Sequence, residues 1–518
     1  MKRVPKSRRG RLVLLAAVLV AAGSIVVGAV RGSGGELPLA GLPAGPVDAR
    51  ALADLVIRVD ASGHDPREIA VELDGEPVTG TVEGDTVLVR PGPLPDGVHR
   101  LTATAPGGFL SGGPDAAGSF TVDSTPPVVL VTATPPPTSY RLPFVVRGSV
   151  QGAQQVRLGA QPITPAPDGT FEVTLPRPPA ATTIEAVDAA GNVTTVPILG
   201  GVDIPRTRAV HVTAHAWSHE GLRESVLDLA RAGRIDTVQL DIKDEDGIIG
   251  YDSQVPLARE SGAASTIYDA PAAVRQLHDL GLRVVGRIVA FRDPQVAAWA
   301  WHSGRRDWVV QHAGGQPYSS HYGPIAFTNF AHPEIRRYNI DLAVEAAKLG
   351  FDDIMYDYVR RPDGPLAQMV FPGIATDPTT SIAEFLRESR DPVHESGAVL
   401  GAAVFGIAST RPEQIAQDIP MIARHVDYVA PMLYPSHWNA GEYGVADPNS
   451  QPYDIILASL GDFVRLTAGT GAEVIPWLQD FSLGVTYGPG QVQAQIDATA
   501  AAGIDSYILW SPTVRYHL

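Results

Sequence analysis

Residues 351–362 read FDDIMYDYVRRP. An apolar run, Ile354-Met355-Tyr356, leads into Asp357 and then breaks into an aromatic, two arginines and a proline. Such a run has the pattern of a strand buried on both faces, and Arg361-Pro362 ends it. A carboxylate at the C-terminal end of a buried parallel strand is where a (β/α)8 barrel keeps its chemistry. The plainer reading is a strand-end Asp that caps the next turn.

The surrounding chain favours the barrel. From residue 209 onward, strand-like runs alternate with amphipathic stretches. The runs cover 209–217, 237–247, 283–291, 353–359, 399–407, 427–435, 473–481 and 506–512, eight in all. Between them, Leu222, Val226 and Leu229 share a helical face that Gly233 closes. Pro271, Pro333, Pro412 and Pro489 sit where helices open, at positions that need no N–H. A doubly wound open sheet would show a Gly-rich first turn, and the sequence has none.

The segments LDIKDEDG, FDDIMYDYVRRP, VAPMLYPSHW, IPWLQDF and YILWSP occur in this order. Through them, residues 207–518 resemble a glycoside-hydrolase-like barrel family of bacterial surface proteins, long catalogued only as a domain of unknown function. That family is similar in layout to the α-amylase-like and α-galactosidase-like clans. The resemblance implies a TIM barrel, and it puts Asp357 at the strand-four position where those clans carry their nucleophile. It also exposes two departures. The family tends to have an Asp within strand five, where this chain has Ala403, and a Phe where it has Arg361.

The rest of the chain reads as an exported, modular protein. Residues 1–31 hold seven Lys and Arg and no acid, around an apolar run from Leu12 to Val30. That is an export signal, and the run is long enough to span a bilayer as an uncleaved anchor. The positive-inside rule puts everything after Arg31 outside the cell, as a single-pass membrane protein, or a secreted one if the signal is cut. Residues 32–50 have a linker composition. Residues 51–123 and 124–200 are two blocks of short alternating strands, the first with a hairpin signal at Asp74-Gly75. DSTPPVV and IEAVDAAGNVTTV resemble the opening and closing strands of bacterial immunoglobulin-like repeats, which implies two β-sandwiches ahead of the barrel.

Composition narrows the function further. The chain has no Cys, which excludes disulfides and cysteine nucleophiles. A formal charge of −16, despite the basic start, argues against a nucleic-acid partner. No H-E-x-x-H spacing or G-x-S-x-G elbow occurs, so neither a metal, another cofactor nor a serine nucleophile is expected.

Aromatics concentrate in the barrel: all 7 Trp lie there, as do all but one of the 15 Tyr, the exception being Tyr140. Flat rings pack against the C–H faces of sugars, so Trp217, Tyr358, Tyr434, Trp438, Trp477 and Trp510 are candidate binding residues for a polysaccharide or cell-wall glycan. They are as readily core residues of a large domain. Glycoside cleavage needs two carboxylates. Asp357 is the first candidate, with Asp480 at the end of strand seven or Asp241 in strand two as its partner. Lys243, Asp244, Arg360 and His437 are candidates to contact substrate. The expectation is a surface-anchored glycoside hydrolase. The alternative is a glycan-binding barrel that has lost turnover.

Overall fold

The computed structural model describes residues 37–106, 115–132, 134–179 and 181–518. The expected membrane segment at 1–31 lies outside them. Among the described residues no helix is long and apolar enough to cross a membrane.

The chain divides into two units. One comprises the described residues of 1–133, 146–173 and 182–198; the other comprises those of 134–145, 174–181 and 199–518.

The first unit is β-rich. Its N-terminal part has two four-stranded antiparallel sheets. They share one core, with Ile57, Val59 and Val89 from one sheet and Val71, Leu101 and Phe120 from the other. The expected hairpin is present: Leu73 pairs with Glu76 across Asp74 and Gly75, both at positive φ. The expected linker is shorter than its composition suggests. Leu37 is buried in this core, and Leu39–Ala40 pairs with Val59 and Arg58, so residues 37–50 are folded. Residues 128–199 form a three-stranded and a four-stranded sheet.

The second unit is a closed parallel barrel. Its strands are β1 (Arg208–Val212), β2 (Thr237–Lys243), β3 (Arg283–Val289), β4 (Asp353–Asp357), β5 (Val399–Phe405), β6 (Tyr428–Met432), β7 (Glu473–Val474 and Trp477–Gln479) and β8 (Tyr507–Trp510). Each pairs in parallel with the next, and β8 closes onto β1 through Ala209 opposite Ile508. Pro476, which has no N–H to give to the ladder, lies at the break in β7.

Alternation within the strands divides the core. Val238, Leu240 and Ile242 of β2 pack outward in the layer shared with the helices. Val285, Met355, Ala403, Tyr428 and Ile508 form the barrel interior. The small residues of β5 follow from that packing. A Cβ on Gly401 would lie 2.2 Å from the Tyr428 ring.

Helices α1 (Glu220–Arg231), α2 (Ala270–Asp279), α3 (Pro333–Leu349), α4 (Pro378–Glu395), α5 (Pro452–Thr467) and α6 (Pro489–Ala501) belong to this unit. α2 opens at Pro271 and α6 at Pro489, and α3 runs from Pro333 to Gly350 at φ 115°. Pro412, in contrast, opens only the short 3-10 turn Pro412–Gln414. The first strand ends earlier than its apolar run. Thr213 accepts a hydrogen bond from Ala216 N at 3.1 Å and caps a short helix, Ala214–Ser218.

Candidate active site

Asp357 ends β4, and 2% of its surface remains accessible. Arg287 of β3 holds it: Nε and Nη2 donate to Asp357 Oδ2 at 2.9 and 2.7 Å. The remaining oxygen, Oδ1, accepts the Tyr358 N–H at 2.6 Å. Tyr358 makes that bond from the left-handed region, at φ 51°. For a bulky residue this backbone is strained, and such strain collects at functional sites.

Arg287 is the hub of the site. It also donates from Nη1 to Asp241 Oδ1 at 3.0 Å and from Nη2 to Glu245 Oε1. His211 of β1 completes the cluster through Nε2 to Asp241 Oδ1 at 2.9 Å. Burial alone would push Asp241 up, but His211 and Arg287 outweigh it and hold the carboxyl below its ordinary value. Glu245 behaves alike. Burial raises it, the Arg287 charge lowers it, Asp241 opposes, and the net direction is down. The surrounding carboxylates hold the Arg287 guanidinium well above its ordinary range, against its own burial.

A cleft of about 510 Å³ opens over this cluster. Its floor includes Arg287 and Asp357. Its walls include Tyr358, Tyr434, His437, Trp438, Trp477 and Trp510, all expected from the sequence. Glu245, Tyr322, Asp363, Phe405 and Met432 also line it. Tyr434 stacks on Trp510 with ring centroids 5.3 Å apart. The indole N–H groups of Trp438 and Trp477 are buried without a protein partner. Burial pushes the His437 imidazole below its ordinary value, which favours the neutral ring.

Several expected residues lie elsewhere. Asp241 is in the cluster beneath the cleft but does not line it. Asp480 is buried and bound to His517, through Nδ1 to Oδ1 at 2.6 Å and backbone N to Oδ2 at 2.8 Å. It anchors the segment around Tyr516 and His517 rather than facing the cleft. A register shift between Asp241 and Lys243 breaks the alternation of β2. Lys243 is therefore turned away from Asp241 and Arg287, fully buried against Asp293 at 2.7 Å and Asn339 of α3 at 3.0 Å.

Asp244 caps its own loop, accepting from the N–H groups of Asp246 and Ile248. Trp217 sits on the short helix after β1 and packs in the outer core. Arg360, expected to contact substrate, and its neighbour Arg361 are both buried. Arg360 lies behind the wall, 5.0 Å from the Tyr358 ring and 4.4 Å from the Phe405 ring. Arg361 donates to the carbonyls of Pro362, Gly364 and Glu413.

Arg287, Glu245 and His211 were missed from sequence. Arg287 is one polar residue inside an apolar run, RVVGRIVAF, and a charge at an inward position of a barrel strand needs partners. That signal was available. Glu245 had none beyond its place among neighbouring acids in a loop.

A family described as "Putative glycosyl hydrolase domain" matches residues 209–516. This chain belongs to it. The match includes Asp357, Arg287 and Glu245. No curated protein matches the chain. Similar solved structures include the PgaB (BpsB) glycoside hydrolase domain from Bordetella bronchiseptica, 16% identical over 60% of this chain and 95% of that one, with a TM-score of 0.44. An endo-beta-1,4-mannanase from Thermotoga petrophila is 12% identical over 59% of this chain and 67% of its own, at a TM-score of 0.41. A hypothetical protein from Ruminiclostridium thermocellum is 29% identical over 37% of this chain and 96% of its own, at 0.33.

Proposed function

We propose that the barrel hydrolyses O-glycosidic bonds of a polysaccharide, with Asp357 as the carboxylate that meets the anomeric carbon. One observation carries this reading. The acid at the C-terminal end of β4 forms the floor of an aromatic-walled cleft and is held in place by two Arg287 hydrogen bonds and one backbone N–H. A preorganised carboxylate of this kind stabilises positive charge developing on a sugar ring. The walls suit the same substrate. Aromatic faces cover sugar C–H surfaces, and Tyr358, Tyr434, Trp438, Trp477 and Trp510 supply them here. The export signal read at 1–31 supports an enzyme that works outside the cell on envelope or extracellular glycan, displayed at the membrane.

The alternative is a barrel that binds glycan without cleaving it, and Ala403 is the residue that favours it. Ala403 belongs to the interior cluster with Met355, Tyr428 and Ala430 and does not line the cleft. An acid missing there does not empty the cleft of carboxylates, since Asp357, Glu245 and Asp363 all line it. Release of new reducing ends from a glycan panel by the full chain, and its loss in Asp357→Asn, tests the hydrolase reading. Binding of glycan by both proteins with cleavage by neither would favour the alternative.

A further inference from the structure

The hydrolase reading leaves the second carboxylate open. The residues expected for it, Asp480 and Asp241, are committed to His517 and to His211 and Arg287. Two other acids line the cleft, Glu245 and Asp363. Asp363 is engaged by Arg360 Nη2 at 3.2 Å, behind the wall. Glu245 is different. Its Oε1 accepts from the same Arg287 Nη2 that donates to Asp357 Oδ2, so one guanidinium nitrogen ties both carboxylates to the cleft floor. Two hydrogen bonds from one nitrogen limit the gap between those oxygens to about 6 Å. Retaining glycosidases place their two carboxyls about 5–5.5 Å apart, whereas inverting ones need about 6.5–9.5 Å to admit a water. Glu245 is also the more accessible member of the pair, with 36% of its side chain exposed against 3% for Asp357.

On the hydrolase reading, we infer that Glu245 is the acid/base partner of Asp357 and that cleavage proceeds with retention of anomeric configuration. In the first step Asp357 attacks the anomeric carbon as the Glu245 carboxyl gives its proton to the departing glycosidic oxygen. The C–O bond to the leaving sugar breaks and an ester to Asp357 forms. In the second step the Glu245 carboxylate takes a proton from water, and the water oxygen displaces Asp357 from the same carbon. Both carboxyls return to their starting forms. Neither step needs a co-reactant beyond water.

The charges around Glu245 give this assignment a pH signature. Burial raises Glu245, but the charge of Arg287, which it shares with Asp357 and Asp241, outweighs it and holds the carboxyl below its ordinary value; Asp363, His321 and His437 stand in the same cleft. The protonated form therefore dwindles as pH rises from the acid side. Turnover of natural glycan falls over the same range, while a substrate whose leaving group needs no proton escapes the fall.

The experiment uses the full chain, Glu245→Gln and Glu245→Ala. Wild-type first product is read by proton NMR. Both variants are assayed on the natural glycan and on a dinitrophenyl glycoside of the released sugar, with and without azide. Retention is expected. The variants should lose about 10²–10⁴-fold on natural glycan; on the activated substrate only the second step still needs Glu245, so azide should restore turnover and yield a glycosyl azide. Inversion by the wild type, equal losses on both substrates with azide present, or the same leaving-group signature in Asp363→Asn instead would overturn the assignment alone. Absence of any turnover by the wild type would overturn the hydrolase reading with it.

Discussion

Arg287 is the residue on which the site depends. It is buried among Asp241, Glu245 and Asp357, so removing it leaves uncompensated acids in the barrel interior. Replacing it with Met should destabilise the chain by about 3–5 kcal/mol in urea unfolding and abolish turnover. The pH dependence follows from Asp241. Its folded pKa is depressed, so its contribution is full above the unfolded value of about 4 and is lost as pH falls through the folded one. Asp353 has the opposite sign. Burial pushes it up to about 6 despite Arg283 beside it. Its protonated folded form therefore contributes stability below about pH 4, and that contribution fades as pH rises towards 6. Denaturation across pH 3–7 should show loss at the acid end from the Asp241 cluster and a separate decline towards pH 6. Asp353→Asn should remove only the second.

At the level of elements, the segment after β8 explains why Asp480 looked catalytic. A strand-end acid facing the mouth and a strand-end acid clamping a later segment have the same sequence signature. Only the fold brings His517 to Asp480. Asp480→Asn should therefore lower stability while leaving kcat within a few fold of the parent, and His517→Ala should cost about 1–2 kcal/mol. Loss of kcat with unchanged stability in Asp480→Asn would restore it to the chemistry.

The same limit applied to β2. Its apolar pattern located the strand, but the register shift that turns Lys243 away from Asp241 and Arg287 is not written in hydrophobic periodicity. The Thr213 cap that ends β1 early likewise moved Trp217 from an expected cleft wall to the core.

For the whole molecule, eight strands, their order and the end of the barrel that carries the site were legible, because runs buried on both faces and Pro- and Gly-marked helices repeat along the chain. So were six of the cleft's aromatic and His walls: Tyr358 and Tyr434 just past strand ends, Trp477 and Trp510 within β7 and β8, and His437 and Trp438 in the loop after β6. The partners of the buried charges were not legible, since pairing across strands depends on register. The barrel unit also reaches further into the sequence than expected. Tyr140, buried in it, donates to Asp427 at 2.9 Å and stacks on His394, and Arg141 donates to the carbonyls of Ala347 and Phe351. A fragment starting at residue 201 lacks both and should melt below the full chain. Tyr140→Ala in the full chain should cost about 3 kcal/mol without changing substrate cleavage.

Everything proposed for this barrel turns on Asp357 breaking glycosidic bonds at its mouth. The decisive assay is reducing-end release from cell-wall and capsular glycans by the full chain and by Asp357→Asn, with both confirmed folded. Release by the parent and a loss of at least ~10³-fold in the variant are expected. Cleavage by Asp357→Asn at the parental rate would remove Asp357 from the chemistry.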